Sequence, residues 1–478
     1  MRRLVSLYVP SYARTLVYML QNTEYQIRPY LAWYRRIKDF DTVMYRRKLV
    51  PTTAARSLLA ALSIAMLLQV CVGTWFIWQG YTSNNFTYTT VGTLLVVVYP
   101  FVWAYAVVVP LWLGRVCIID PRNRRLIARS EKIFASHPGL KIAVAGSYGK
   151  TSMKELLKIV LSEGKRVAAT PANKNVPVSH ALFASKLKGH EDILIIEFGE
   201  SAPGDVERFA RITQPKLGVI TGVAPAHLDH YPSLEAAAQD IFSLGKYVGF
   251  NNTYVNGDSV AAKPFIEGGM HIYDGAGALG WKVSDIKVDF KGTEFTIQKG
   301  KQQIIVKSGL LGKHQVGPLA LVVALAHQLG LNKKQIEAGV AKTQAFEHRM
   351  QARHIRGAWL LDDTYNGNID GMRAGLALLK ELPAKRKIYV TPGLVDQGVE
   401  TEAVHRTLGQ AIAQAAPDKV ILMKNSVTKH IQRGLQADNY KGKLVIETEP
   451  LNFYTNIEHF IAAGDVIMMQ NDWTDNYN

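Results

Sequence analysis

Residues 145–157 read AGSYGKTSMKELL. Gly146 and Gly149 frame Ser147 and Tyr148, and Lys150, Thr151 and Ser152 follow at once, ahead of a helical pattern. Backbone N–H groups at a helix start attract anions, a lysine neutralises them, and a neighbouring hydroxyl suits a magnesium ion. Together these residue types can bind phosphate, with Gly146, Ser147, Tyr148, Gly149, Lys150, Thr151 and Ser152 as the cradle and Thr151 as a Mg2+ ligand. The longer pattern GxxxxGK[ST] is not met, because Val144 stands where its first glycine belongs; the shorter GxxGK[ST] is present. A plain structural turn would use the same glycines and is the alternative.

Such a cradle needs a strand before it and a helix after it. LKIAVAG (140–146) is a short β-branched apolar run, and SMKELLKIVLSEG (152–164) has helical spacing that stops at glycine. The chain of 478 residues has room for two or three domains, and 48% apolar with 20% charged residues is globular composition with an apolar excess. Two cysteines, Cys71 and Cys117, indicate neither a disulfide framework nor a metal knuckle. The net charge of +17 admits nucleic acid, anionic lipid or acidic substrates.

The placement of that charge decides among them. Residues 1–56 hold eleven Lys/Arg against three Asp/Glu, whereas Ser57 to Gly114 contains none of the four. Within that stretch, about 57–78 and 91–114 are each long enough to cross a bilayer core of roughly 30 Å. A polar QGYTSNNFTYTT separates them. Two buried helices of a soluble core are the alternative. Basic residues flank both ends, so the positive-inside rule places both ends in the cytoplasm. Pro100 and Pro110 are expected to kink the second helix. The aromatic and basic YLAWYRRIKDF (30–40) suggests an interfacial segment on anionic lipid. The membrane accounts for much of the basic charge, and nucleic acid is not needed.

GxxGK[ST] is characteristic of the Mur ligases, and further stretches resemble that family, above all its D-alanyl-D-alanine-adding MurF branch. TPANKNVPVSHALF (170–183) resembles the loop after the P-loop helix, with Asn173 in it. DILIIEFGES (192–201) is similar to the strand whose glutamate binds Mg2+, which maps onto Glu197. LGVITGVAPAHLDHYPSLEAAAQDIF (217–242) places His227 at the metal-binding histidine. FEHRMQ (346–351) puts Arg349 at an ATP-contacting arginine. LLDDTYNGNIDGMRAGLALL (360–379) puts Asp363 at a nucleotide-contacting aspartate, with Tyr365 and Asn366 shaping the turn. GDVIMMQNDWTDNY (464–477) matches a late strand.

The resemblance implies an ATP- and Mg2+-dependent amide ligase acting through an acyl phosphate. Lys150, His227 and Arg349 would be catalytic, Gln315, Arg349 and Asp363 would contact the nucleotide, and Thr151, Glu197 and His227 would hold metal. Three departures stand out. A basic arm, hairpin and linker occupy residues 1–138, where the family has a UDP-binding domain. LLGKHQVGP reads His314 and Gln315 where the family has His-Asn. The helix after the His227 loop reads EAAAQDIF, without the lysine that the family carbamylates; Lys246 is expected beyond the helix end, leaving Asp240 as the anionic substitute.

The expected fold is α/β: a basic arm (1–56), two transmembrane helices (57–116), a basic linker (117–138), a central P-loop domain (139–340) and a Rossmann-like C-terminal domain (341–478). The expected protein is a multi-pass inner-membrane ligase with cytoplasmic catalytic domains. It would join an amino acid or dipeptide amine to a membrane-presented carboxylate of a cell-wall peptide precursor. A polyglutamate-type synthase and a non-ligating nucleotide-binding scaffold are the alternatives.

Overall fold

The computed structural model describes residues 2–23, 25–37, 39–40, 43, 49–171, 175–225, 231–365, 367–395 and 397–471. They fall into two compact units, within residues 1–125 and 126–478.

Helix Thr53–Thr82 and the helical run Phe86–Ser136, which opens with helix Phe86–Ala106, are both long and apolar enough to cross a membrane. Only 17% of each apolar window is buried, unlike the core helix Val316–Gln328 of the second unit, which is buried along most of its length. The polar stretch that separates the two apolar segments is largely helical. Asn84 takes a left-handed φ of 50°, and the Asn85 side chain caps the next helix through the Thr87 N–H at 3.0 Å, so three residues suffice for the reversal. The two helices meet at small residues: a Cβ on Gly92 would lie 2.5 Å from the Gly73 carbonyl. Pro100 sits inside the second helix, whereas Pro110 falls in the first turn of Val108–Gly114, where its missing N–H costs nothing. The 30–40 segment turns its aromatic side inward. Tyr30, Tyr34 and Phe40 are buried, and the Tyr12 and Tyr30 hydroxyls donate to the carbonyls of Pro100 (3.1 Å) and Ala104 (2.8 Å). Arg28, Arg35 and Arg36 stay exposed. The expected linker is also helical, as Asp120–Ser136.

The second unit holds two sheets. The first contains β1 (Leu140–Ala145), β2 (Val167–Ala169), β3 (Ile193–Glu197), β4 (Leu217–Ile220), β5 (Thr253–Asn256), β6 (His271–Asp274), β7 (Gly277–Ala278), β8 (Trp281–Asp289), β9 (Gly292–Lys299) and β10 (Gln302–Ser308). Its order is β10-β9-β8-β7-β6-β5-β4-β1-β3-β2, parallel from β2 to β6 and antiparallel beyond. Apolar layers cover both faces of the parallel part, which explains why β1, β3 and β4 read as continuous apolar runs. Phe134 of the preceding helix is buried in one of those layers.

The second sheet contains β11 (Gln351–Ile355), β12 (Ala358–Asp363), β13 (Arg386–Thr391), β14 (Lys419–Met423), β15 (Lys443–Glu447) and β16 (Asp465–Gln470), in the order β11-β12-β16-β13-β14-β15. Only β11 is antiparallel. Helices Ile369–Glu381, Thr401–Ala415 and Thr428–Ala437 pack on it. The two sheets touch where Phe290, after β8, stacks on Trp359 of β12 with ring centres 4.6 Å apart. This is the expected α/β architecture with a mixed first sheet.

Candidate active site

β1 ends at Ala145 and the chain turns at Gly146, whose φ of +136° lies in the range that favours glycine. A Cβ there would also run into the Thr221 hydroxyl and lie 2.9 Å from the Gly222 carbonyl. Gly149, with φ +72°, is the N-cap of helix Lys150–Leu161, so the first amides of that helix open towards the turn. Thr221, at the end of β4, donates to the carbonyls of Ala145 and Tyr148 and fixes the turn from behind. The Tyr148 ring lies against Gly222, where any Cβ would collide with it. Burial and the nearby Asp370 carboxylate push the Tyr148 phenol up to about 12, so it stays protonated.

Lys150 Nζ donates to the Gly146 carbonyl at 2.5 Å and to both Glu200 carboxylate oxygens at 2.7 Å. Thr151 Oγ1 donates to Glu197 Oε1 at 2.9 Å, and Lys154 Nζ lies 3.0 Å from Glu197 Oε2. That last pair makes no aligned hydrogen bond, so a buried carboxylate oxygen keeps a lone pair uncommitted. β3 holds Glu197 in register with Val144, one residue before the β1 strand end. The Glu197 N–H donates to Thr170 Oγ1 at 3.0 Å and its carbonyl meets the His180 ring at 2.8 Å. Burial pushes the His180 imidazole down to about 4, so it is neutral and donates from Nε2. The structure thus brings Lys150, Thr151 and Glu197 together. His227 and Asn173 lie outside the described residues.

Gln315 precedes helix Val316–Gln328, and its amide donates to His314 Nε2 at 2.8 Å. Burial holds that imidazole neutral, down to about 4. Asp240 is buried and accepts from the Gly204 N–H (2.9 Å) and the Tyr231 hydroxyl (2.8 Å), and burial raises its pKa. The expectation for Lys246 is corrected: helix Leu234–Val248 carries it in its last turn, with the side chain exposed. Gly245 does not end the helix, because helical glycine costs only about 1 kcal/mol and this one packs against Met270 and Thr253.

On the second sheet Asp363 ends β12. Its carboxylate accepts from the Met350 N–H at 3.1 Å and from Gln470 Nε2 at 2.8 Å. Burial pushes its pKa up to about 6, against the pull of Arg349. The Arg349 guanidinium lies 4.3 Å from the centre of the Tyr365 ring. Its neighbours His348 and Met350 take φ of +59° and +51°, a strained turn for non-glycine residues. Asp362 forms the tight turn, accepting from Thr364 Oγ1 at 2.7 Å as well as from His348 (2.9 Å) and Arg353 (3.0 Å). A cavity of about 260 Å3 opens beside His348, Asp362, Thr364, Tyr365, Tyr454 and Met469. Asn366 lies outside the described residues. Arg349 and Asp363 thus form a second group, and no bond among those described joins it to Lys150, Thr151 or Glu197.

Glu200, Lys154, Thr221 and Gln470 were not singled out by the sequence reading. Two of them had a signal: Lys154 follows Lys150 by one helical turn, and Glu200 follows Glu197 by three residues.

Residues 144–326 match the Mur ligase middle domain, and residues 348–473 match the Mur ligase glutamate ligase domain, together well over half of the chain. The chain belongs to the Mur ligase family. This Mur ligase is 29% identical over 294 residues to the UDP-N-acetylmuramoyl-tripeptide–D-alanyl-D-alanine ligase of Escherichia coli (strain K12), covering 59% of the chain and 64% of that protein. It is 28% identical over 295 residues to the same-named ligase of Mycobacterium tuberculosis, covering 59% and 58%. The Mur ligase described here therefore spans about three fifths of the length of these relatives. Its fold is shared with MurF from Thermotoga maritima in complex with ADP (TM-score 0.64, 21% identity, 73% of this chain and 80% of that one). MurF from Acinetobacter baumannii is similar in fold too (TM-score 0.63, 20% identity, 73% and 77%).

Proposed function

We propose that this Mur ligase is an ATP-dependent carbon–nitrogen ligase that works at a membrane surface. The observation that carries the reading is the convergence of Lys150, Thr151 and Glu197 on a helix N-terminus, in a chain whose relatives are named as such ligases. An acceptor carboxylate oxygen attacks the γ-phosphorus of ATP and ADP leaves. The amine then attacks the acyl phosphate carbon, phosphate departs with the bonding electrons, and the amine proton is lost to solvent. Lys150 and the free amides of its helix take the phosphate charge. Arg349 and Asp363 meet the nucleotide when the second sheet closes over it, which makes turnover conditional on a hinge.

Thr151 and Glu197 fit Mg2+: both offer hard oxygen donors, and Glu197 Oε2 has no aligned partner. They would hold it together with His227, and the ion would neutralise phosphate charge. Gln315 would face the adenine. In this reading the sheets belong to a central domain (139–340) and a C-terminal domain (341–478). The two apolar helices anchor the protein in the inner membrane, the basic arm meets anionic lipid, and the catalytic part is cytoplasmic. The acceptor is the carboxylate of a cell-wall peptide precursor at the membrane, and the donor is an amino acid or dipeptide.

The test is full-length protein in detergent with ATP, Mg2+, a membrane extract and a panel of amines. Phosphate release that requires an amine, with a new amide mass in the products, is expected. Phosphate release independent of amine, or none, overturns the reading.

A further inference from the structure

Glu197 ends β3, and its carboxylate can be no better placed than the peptide that carries it. The next residue bonds to β1: the Phe198 N–H donates to the Val144 carbonyl at 2.9 Å. The backbone N–H and carbonyl of Glu197 face the other way, towards β2, and β2 stops at Ala169. Side chains take the place of the missing strand. Thr170 donates its N–H to the Ile195 carbonyl at 3.0 Å, and its hydroxyl accepts the Glu197 N–H at 3.0 Å. His180, on helix Pro177–Ala184, donates from Nε2 to the Glu197 carbonyl at 2.8 Å. Just beyond, the Gly199 N–H donates to the Asn175 carbonyl at 3.0 Å. Thr170, His180 and Glu197 are all buried. The His180 ring is held between Phe198 and Phe209, with ring centres 5.9 and 5.1 Å away. Its Nδ1 is buried without a hydrogen-bond partner among the described residues. A side chain that only filled this space would be apolar, because a bare buried polar atom is costly. What an imidazole adds here is the single bond to the Glu197 carbonyl.

We propose that His180, together with Thr170, is a positioning residue for the metal site. The pair clamps the Glu197 backbone on both sides of its Cα and so presents the carboxylate, beside Thr151, to Mg2+. This rests on the reading that Thr151 and Glu197 hold the ion. Groups that orient a metal ligand set how well it binds, even when they never touch the metal.

The experiment is binding of a fluorescent ADP analogue to the full-length protein in detergent, with excess Mg2+ or with chelator, alongside thermal melting. Wild type, His180→Leu, His180→Gln, Thr170→Val and Glu197→Gln are compared. Wild type is expected to bind at least about tenfold more tightly with Mg2+, within the usual range for coupled ligands. His180→Leu keeps the bulk and removes the donor. It should lose most of that Mg2+ gain, as roughly tenfold or larger losses follow when the partner of a metal ligand is removed, while the chelator arm hardly moves. His180→Gln, whose amide reaches as far as Nε2, should restore the gain. A lowered Tm with the Mg2+ gain intact would mean that the ring only fills the core, and overturns the proposal. If His180→Leu fails to fold, Thr170→Val decides, because it removes the other side-chain bond to the Glu197 backbone; an undiminished gain there overturns it too. A gain that survives Glu197→Gln would instead remove the metal-site reading, and this proposal with it.

Discussion

Lys154 is fully buried with its ammonium 3.0 Å from Glu197 and 3.4 Å from Glu155, so removing it leaves the buried Glu197 carboxylate short of a counter-charge. Lys154→Met should cost about 3 kcal/mol of stability, read as a lowered Tm, and Glu197→Gln added to it should recover most of the loss. The same logic bears on the cradle lysine. Lys150→Ala should abolish ATP-dependent phosphate release and also lower Tm, because the nearly buried Glu200 carboxylate loses an ion pair at 2.7 Å; unchanged turnover would remove the phosphate-cradle assignment. Asp363 behaves differently. Its folded pKa of about 6 lies above the unfolded value of about 3.9, so the carboxyl favours the native state below about pH 4, and that contribution fades as pH rises through 6. Asp363→Asn should therefore be at least as stable as wild type at pH 7.5 while turning over far more slowly. A loss of Tm there would mean that the Gln470 and Met350 hydrogen bonds outweigh the buried charge. His180 and His314 act with the opposite sign. Both are held near 4, below the unfolded 6.5, so each lowers stability by about 1.4 kcal/mol per unit as pH falls from 6.5 towards 4.

The glycine turn between β1 and helix Lys150–Leu161 is the element on which the site depends. Gly146→Ala would add a Cβ at φ +136° against the Thr221 hydroxyl and the Gly222 carbonyl. It should destabilise by 1–3 kcal/mol and abolish nucleotide binding, since the neighbours that must give way are themselves part of the turn. Binding of the fluorescent ADP analogue checks this; retained affinity would mean that the turn can relax. The strained segment His348–Met350 is the corresponding element of the second sheet. Arg349 there is stacked on Tyr365, and Arg349→Ala should cut turnover strongly with about 1–2 kcal/mol of lost stability at most, because a half-buried cation–π contact is worth roughly that.

For the whole molecule, the helix that was expected to be a linker decides where the catalytic part can be cut. Phe134 is buried in the core of the first sheet, with Ile127 and Ile133 against it. A chain starting at His137 would lose all three and should aggregate or melt early. A chain starting at Asp120 should stay soluble and bind nucleotide, yet act poorly on a membrane acceptor. Equal stability of the two chains by thermal melting would refute this role for the helix. What the sequence determined by itself were the features written in local order: the charge-free stretch 57–114, the strand–glycine–lysine–helix run at 140–161, and the acid-ended strand at Glu197. Each is a pattern of neighbours along the chain, and backbone geometry converts such patterns directly into elements. Tertiary structure alone decided the pairings. Glu200 on Lys150, Lys154 on Glu197, Gln470 on Asp363 and Tyr30 on the Ala104 carbonyl join residues from 43 to 107 positions apart. Which of many similar charges and hydroxyls meet is set by sheet order and packing, and those follow from how the whole chain buries its apolar faces.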